Sequence, residues 1–307
     1  MPELPEVTTT VNGLKKVLIG LTFTDVWTDL AKKDQKIKQF KDTIKDDKFF
    51  KKFKKEIVGK KVISVERRAK NILINTSGDN TILIHLKMTG HLLFGKYKQL
   101  NSKTWEPQSE GALRDPYNRF IHVVFSLSNG KSLAFCDSRK FGKITMIPTK
   151  DLDKTSHLKN IGPEPLDKSF TFDKFKNRLL LKPNGKIKTV LMDQSIVAGI
   201  GNIYSDEMLW SAGIHPESKT PKIPNPLLLK LYDEMKKVLK KGIDFGGDSM
   251  SDYRNIDGER GNFQGQHNVY QRKGEKCRRK GCNGVIIRKV INGRSAHLCN
   301  IHQKLFN

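Results

Sequence analysis

The chain has 307 residues, enough for two domains and ample buried core, and its 57 basic against 32 acidic residues leave a formal net charge of +25. That balance points to a polyanionic partner, nucleic acid before membrane, although 44 of the basic residues are lysines, an excess that also fits a compositional habit. No run approaches the ~20 apolar residues of a membrane span, and the start lacks the basic-then-apolar order of a secretory signal, so a cytoplasmic protein without membrane contact is expected.

The chain opens MPELPEV, and apolar residues at 4, 7, 11, 14, 17 and 18 form a helical stripe. Pro2 and Pro5 suit a first helical turn, where a missing N–H costs nothing, and Glu3 and Glu6 suit its positive end. The pattern then changes to period two: LTFTDVW, KKVISVERR, NILIN, TILIHLKM, HVVFSLS and KSLAFCD read as strands. Two turns are explicit, Ser77-Gly78-Asp79-Asn80 and Ser128-Asn129-Gly130-Lys131, the second with the Asn-Gly pair that type I′ turns prefer. Residues 1–150 are therefore expected to form a β-sandwich or flattened barrel with the N-terminal helix packed on it. AKKDQKIKQFKDTIKDDKFFKKFKKE, residues 31–56, interrupts the strands with Phe40, Ile44, Phe50 and Phe53 at helical spacing. It reads as a solvated amphipathic helix, with a dedicated DNA-binding element as the competing reading.

Residues 151–167 are expected to be a hinge, because HLKNIGPEPLD places Gly and two Pro between two patterns. Beyond it the periodicity is helical. IKTVLMDQSIV and NIYSDEMLWSAG read as short helices separated by Ala198-Gly199-Ile200-Gly201, and a longer one runs from Asn225 to Lys241. GGDSMSDYRNIDGERGNFQGQHNVY comes next, long, rich in glycine and poor in periodicity. Ordered loops of that length are uncommon and often functional; Tyr253, Phe263 and Tyr270 argue against a disordered linker.

Three of the four cysteines fall in the last 31 residues. Cys277-x4-Cys282, sixteen residues, then Cys299-x2-His302 supplies two short clips around a hairpin-like insert, the arrangement tetrahedral zinc requires. Four protein ligands leave no open position, so one structural Zn2+ is expected, with His297 as the weaker competitor for the fourth place.

PELPEV, RRAKN (67–71), HLKMTGHL (85–92), DSRKFG (137–142), GPEPL (162–166), MDQSIVAGIGNIYSDEMLWSAGIHP (192–216), GGDSMSDYRNIDGERGNFQ (246–264) and the C-terminal cysteine hairpin together resemble the formamidopyrimidine-DNA glycosylase (Fpg, or MutM) family. The resemblance spans essentially the whole chain, in order. It implies a multi-domain α+β fold: an N-terminal catalytic β-sandwich domain with its helix (1–150), the hinge, a helix–two-turns–helix domain with a lesion-capping loop (168–265) and a zinc finger (266–307). It also implies a monomer acting on double-stranded DNA that contains oxidised purines or abasic sites. The implied activity is that of a bifunctional DNA glycosylase/AP lyase of base excision repair, cleaving the strand by β,δ-elimination.

By the resemblance, Pro2 is the nucleophile once Met1 is removed. An α-amino group titrates about two units below lysine, a helix N-terminus disfavours its ammonium further, and the free amine attacks the anomeric carbon to leave a Schiff base. The plainer reading is that Pro2 only starts a helix. Glu3 matches the acid that protonates the sugar ring oxygen, Glu6 a residue orienting the site, Lys70 a lysine near the damaged nucleotide and its phosphate that assists β-elimination, and Arg294 a hairpin arginine on the flanking phosphates. Met88, Arg139 and Phe141 match the trio that fills the hole left by an extruded base. Asn202, assisted by the Gly199–Gly201 backbone, matches a phosphate ligand.

Some positions depart from the family pattern. Lys140 stands where a second arginine is common and cannot grip phosphate bidentately. Phe120 replaces a DNA-contacting histidine, leaving neighbouring Arg119 as its substitute. KPNGK is a thin basic run, with Lys182 and Lys186, and His302 replaces a final cysteine. An endonuclease VIII-like preference for oxidised pyrimidines and a non-catalytic damaged-DNA-binding protein are the alternatives; PELPEV and the intact Met88/Arg139/Phe141 set argue against the first, and Pro2, Glu3, Lys70 and Arg294 together against the second.

Overall fold

The computed structural model describes residues 1–307. They form two compact units, residues 1–159 with 245–262 and residues 160–244 with 263–307. The break at Lys159/Asn160 falls inside the expected hinge.

In the first unit helix α1 (Leu4–Leu18) carries the expected stripe, with Leu4, Val7, Val11, Leu14 and Leu18 buried. Ten strands come after it: β1 (Phe23–Thr28), β2 (Val62–Arg68), β3 (Asn71–Thr76), β4 (Asn80–His85), β5 (His91–Gly95), β6 (Tyr97–Asn101), β7 (Thr104–Pro107), β8 (Ile121–Leu127), β9 (Ser132–Cys136) and β10 (Lys143–Pro148). Eight of them make two antiparallel sheets, ordered β1-β8-β9-β5 and β10-β4-β3-β2, while β6 and β7 pair separately. Phe23, Val26, Ile72, Ile74, Ile82, Ile84, Val123, Phe125 and Phe135 share one core with the stripe of α1, each such burial contributing roughly 1.5–3 kcal/mol. The strand runs read from the sequence correspond to β1–β4, β8 and β9, wholly buried β9 included. β5, equally buried, goes unread because only Thr89-Gly90 separates it from the apolar run before it, and β6, β7 and β10 are likewise added by the structure.

The expected type I′ turn is not at Asn129-Gly130. Gly130 alone is left-handed there (φ 75), and its N–H returns to the Leu127 carbonyl, a type I turn closed by a bulge glycine. The type I′ geometry occurs instead at Asn292-Gly293 (φ 46 and 74).

The lysine-rich segment is also not one helix. Helix α2 spans only Asp47–Ile57, because Asp46 caps it by accepting the Phe49 N–H at 2.9 Å. Phe53 and Ile57 are fully buried, so the amphipathic reading holds for this part. Residues 42–46 run beside β10 instead, where the Ile44 N–H donates to the Ile144 carbonyl at 3.1 Å.

The glycine-rich loop was expected with the helical domain, yet residues 245–262 pack in the first unit. Ile256 joins the main core, and its carbonyl accepts the Phe94 N–H at 2.7 Å. Arg254, 2 % exposed, reaches the Asp115 carboxylate at 3.1 Å. A Cβ on Gly13 of α1 would lie 2.9 Å from Ile256, so the helix accepts the loop only where it has no side chain.

The second unit holds α3 (Phe172–Leu180), α4 (Ile187–Met192), α5 (Asn202–Ala212), α6 (Asn225–Asp244) and the hairpin of β11 (Ile286–Ile291) and β12 (Arg294–Cys299). The first helix of the expected pair stops at Met192, and residues 193–201 make the two turns. Phe170, Phe175 and Tyr232 cluster between α3 and α6. The cysteine hairpin belongs to this unit, with β12 packed on α5. Among the described residues no helix is long and apolar enough to cross a membrane.

Candidate functional site

The start of α1 is a buried electrostatic knot. Glu3 and Glu6 are 2 % and 1 % exposed, and Pro2 is buried. The Glu6 carboxylate accepts two backbone N–H groups, from Glu3 at 2.7 Å and from Asp248 of the glycine-rich loop at 2.7 Å. The Glu6 carbonyl accepts the hydroxyls of Thr10 at 2.9 Å and Tyr253 at 3.0 Å. One carboxylate thus fixes the direction of the residues before it and the seat of a distant loop. Gly247 makes the contact possible: its φ is +84, and a Cβ would sit 2.9 Å from the Glu6 Cγ. Gly247→Ala is expected to destabilise the first unit by roughly 1–2 kcal/mol from the left-handed backbone alone, with faster proteolysis of residues 245–262; urea unfolding and limited proteolysis measure both.

Met88 and Phe141 are 38 % and 45 % exposed. Arg139 is exposed and stacks on Phe141 at 4.7 Å. Their loop is rigid beneath. Buried Asp137 accepts the Thr89 hydroxyl, the Arg139 N–H at 3.3 Å and the Gly142 N–H at 2.6 Å. Lys140 is left-handed (φ 56), a conformation costing roughly 1–2 kcal/mol in a residue other than glycine. Its N–H bonds the Asp137 carbonyl at 3.1 Å, and its ammonium lies 3.8 Å from Asp29. A depression of about 300 Å3 joins this loop to the N-terminus, lined by Met1, Phe40, Lys87, Met88, Phe141 and Lys143.

Lys70 follows left-handed Ala69 (φ 52) in the tight turn from β2 to β3 and is 5 % exposed, unlike the solvated lysines of the chain. Burial, Lys87, Lys70 and His157 together push the His85 imidazole down to about 3, so it is neutral, and it accepts the Lys87 N–H at 3.0 Å. Arg119 is exposed at the end of a 3-10 turn and lies over the Phe120 ring at 4.8 Å.

The second unit brings Asn202 and Arg294 together through Ser295. The Asn202 Nδ2 donates to the Ser295 hydroxyl at 3.2 Å, and Arg294 opens β12 directly after the Asn292-Gly293 turn, exposed. Two adjacent carboxylates of α5 hold this arm. Asp206 pairs with Lys188, both fully buried, and accepts the His297 backbone N–H at 2.9 Å. Glu207 accepts the backbone N–H groups of Asn268, Val269 and Tyr270 at 2.9 Å each. His297 is thereby engaged by Asp206 and not by the cysteines. Between the helices, Gly199 is left-handed (φ 82), and its N–H bonds Gln194, whose amide also donates to the Ile200 carbonyl at 2.8 Å.

Cys277, Cys282, Cys299 and His302 present four ligand atoms within 4.8 Å of one another, a set that could hold one metal ion. The His302 Nε2 lies 3.0 Å from the Trp210 carbonyl, which leaves Nδ1 as the ligand atom, 3.3 Å from the Cys277 sulfur. The Trp210 indole N–H donates to the Cys277 Sγ at 3.4 Å, and the Gly284 N–H to the Cys282 Sγ at 3.3 Å. Such donors favour thiolates, and three thiolates with one imidazole in a compact set suit tetrahedral coordination. A Cβ on Gly284 would stand 2.4 Å from the Cys299 sulfur, so the cluster tolerates no side chain there.

The residues that brace the site were less visible in the sequence than those that decorate it. Thr89, Asp206 and Glu207 lie inside the motif blocks, but the backbone N–H groups they accept belong to Arg139, His297 and Val269, far along the chain; Asp137 and His85 brace their own turns through bonds to residues close by in sequence.

Profiles of two domains match the chain: the formamidopyrimidine-DNA glycosylase N-terminal domain over residues 1–144 and the formamidopyrimidine-DNA glycosylase H2TH domain over residues 161–254. The chain is 37 % identical to a formamidopyrimidine-DNA glycosylase of Pelotomaculum thermopropionicum, covering 99 % of this chain and 100 % of the relative. It is 36 % identical to that of Desulforamulus reducens, covering 99 % of each. Among solved structures, Lactococcus lactis Fpg in complex with DNA containing an abasic site superposes with a TM-score of 0.81 at 30 % identity, over 98 % of this chain and 99 % of that one. The same protein with DNA containing Fapy-dG gives 0.80 at 30 %, over 98 % and 100 %.

Proposed function

The chain belongs to the formamidopyrimidine-DNA glycosylase family, and from that premise we propose that it removes oxidised purines from duplex DNA through its Pro2 nitrogen and then cuts the strand. The observation that carries the reading is the position of Met1. It lines the same depression as Met88 and Phe141, so removing it opens the Pro2 nitrogen beside the residues proposed to enter the duplex.

The chemistry stems from that amine. Its lone pair attacks C1′ of the extruded deoxynucleoside, the C–N bond to the base breaks, and the base leaves with its electron pair and a proton. Glu3 protonates the ring oxygen, the ring opens, and an iminium forms between Pro2 and C1′. The iminium acidifies the C2′ proton; its loss expels the 3′ phosphate, and a second elimination expels the 5′ phosphate. Lys70 and Arg294 are proposed as the phosphate partners in these steps, with Asn202 and the Gly199–Gly201 backbone as a further phosphate ligand. Met88 and Phe141 fill the vacated stack, and Arg139 reads the opposite cytosine, a task its planar fork suits. Lys140 and Arg119 neutralise phosphates at the edge.

We propose Zn2+ as the ion held by Cys277, Cys282, Cys299 and His302. It has a structural role, since the four protein ligands leave no place for substrate. The protein is proposed to act as a cytoplasmic monomer, with 8-oxoguanine and formamidopyrimidines as its lesions.

A release assay on duplexes with 8-oxoguanine or thymine glycol, run with borohydride, tests the reading. Preferential release of 8-oxoguanine opposite cytosine with a covalent adduct at Pro2 is expected. Preference for thymine glycol would move the chain to the endonuclease VIII-like class, and binding without release or adduct would leave a damaged-DNA-binding protein.

A further inference from the structure

The lysine-rich segment has no role in the proposed chemistry, yet one of its lysines is 4 % exposed. The Lys45 ammonium donates to the Lys140 carbonyl at 2.6 Å, across 95 positions of sequence. It lies over the Phe40 ring, 4.0 Å from the centroid. The residues around it are pinned. The Ile44 N–H donates to Ile144 at 3.1 Å, the Thr145 hydroxyl to the Asp42 carbonyl, and the Lys45 carbonyl accepts the Lys32 N–H at 3.0 Å. Lys140 is the left-handed residue at the centre of the Arg139–Phe141 loop, and a backbone held in a sparse conformation persists only where its surroundings fix it. Asp137 holds the N–H of Lys140, and Lys45 holds its carbonyl.

From this geometry we infer that Lys45 is a positioning residue for the Arg139–Lys140–Phe141 loop, holding it in the shape that enters the duplex and reads the opposite base. The inference rests on the proposed glycosylase function. It gives the segment a purpose beyond charge: residues 42–46 form a strut from the sheet to the loop. Burial, with Lys143 and Lys87 near by, brings the Lys45 ammonium down to about 8, opposed by Asp137.

The test uses the full chain with Lys45→Met, which keeps bulk and removes the donor. Two substrates separate positioning from folding. Excision of 8-oxoguanine from duplex needs the loop; borohydride trapping on a single-stranded abasic oligonucleotide needs neither extrusion nor an opposite base. Excision opposite cytosine is expected to fall roughly 10- to 100-fold in kcat/KM, with a narrower preference for cytosine over adenine, while trapping on the single strand stays within about twofold. Lys45→Gln, polar but too short to span the contact, is expected to show the same split in milder form and serves if the methionine variant folds poorly. Equal losses on both substrates, or no loss on either, would overturn the inference. A wild-type protein that neither excises nor traps would instead overturn the proposed function.

Discussion

A chain that retains Met1, or carries glycine in place of Pro2, is expected to lose excision by on the order of 10⁴-fold or more, with little loss of affinity for abasic duplex. Retained Met1 leaves the Pro2 nitrogen in an amide, without a nucleophilic lone pair. Glycine restores an amine but a primary one. Its imine is neutral until protonated, whereas a proline nitrogen bonded to C1′ is a cationic iminium by its valence. That fixed charge is the electron sink for the eliminations. Glu3→Gln separates the acid from the nucleophile: a loss of roughly 10²- to 10⁴-fold is expected for base release, and a smaller one for strand cleavage at a preformed abasic site, where no base has to leave. Glu6 sets the background for both, since its carboxylate receives the Glu3 N–H at 2.7 Å. Borohydride trapping with mass spectrometry of the N-terminal peptide reads all three. An adduct on a lysine with Pro2 still free, or full activity with Met1 in place, would refute the nucleophile assignment.

Helix α1 is readable because one side of it meets the core and the other water. β8 and β9 are readable although β9 is buried throughout, because an explicit turn separates the two apolar runs. β5, equally buried, has only Thr89-Gly90 between it and the run before it. The lysine-rich segment misleads differently. Phe40, Ile44, Phe50 and Phe53 fall at helical spacing, but only the last two belong to α2, since Asp46 starts a new helix and Ile44 pairs with β10. Spacing alone does not report a cap in the middle of a pattern.

At the site the contrast is between side chains proposed to act on DNA and those that brace. Pro2, Glu3, Met88, Arg139, Phe141 and Arg294 stand in the motif blocks of the sequence. Their supports are contacts between residues far apart in the chain: Glu6 to Asp248, Lys45 to Lys140, Asp206 to His297. No local pattern encodes such a pair. The glycine-rich loop is the clearest case. Its length and composition mark a functional loop but not its seat, and it closes on α1 through Tyr253, Ile256 and the Glu6 carboxylate. Its glycines serve close approach, as at Gly247, and not only mobility.

Stripping the metal from the cysteine cluster is expected to weaken DNA binding on the order of 100-fold while leaving the helices folded. The hairpin of β11 and β12 is a two-stranded sheet, marginal alone in water. Its small core consists of Val269, Cys277, Ile286 and Cys299 with Trp210 and Cys282 against it, so three of its members belong to the set that could hold the ion. A structural zinc contributes an apparent ~10–16 kcal/mol in comparable small modules, far more than this core supplies. Without the ion, three thiols and an imidazole must share a space of 4.8 Å with nothing to bind. Asp206 still grips the His297 N–H and Glu207 the 268–270 backbone, so β12 stays near α5 while the Cys277–Cys282 clip loosens. Arg294, at the far end of the hairpin, then loses its fixed direction. Arg294→Ala in the metal-loaded protein should weaken binding less and reduce the salt slope by about one; chelation should do that and add the loss of the clip. Far-UV circular dichroism, metal content and salt-dependent binding measured together decide it. Chelated protein with full affinity and an unchanged salt slope would show that the ion holds nothing that touches DNA.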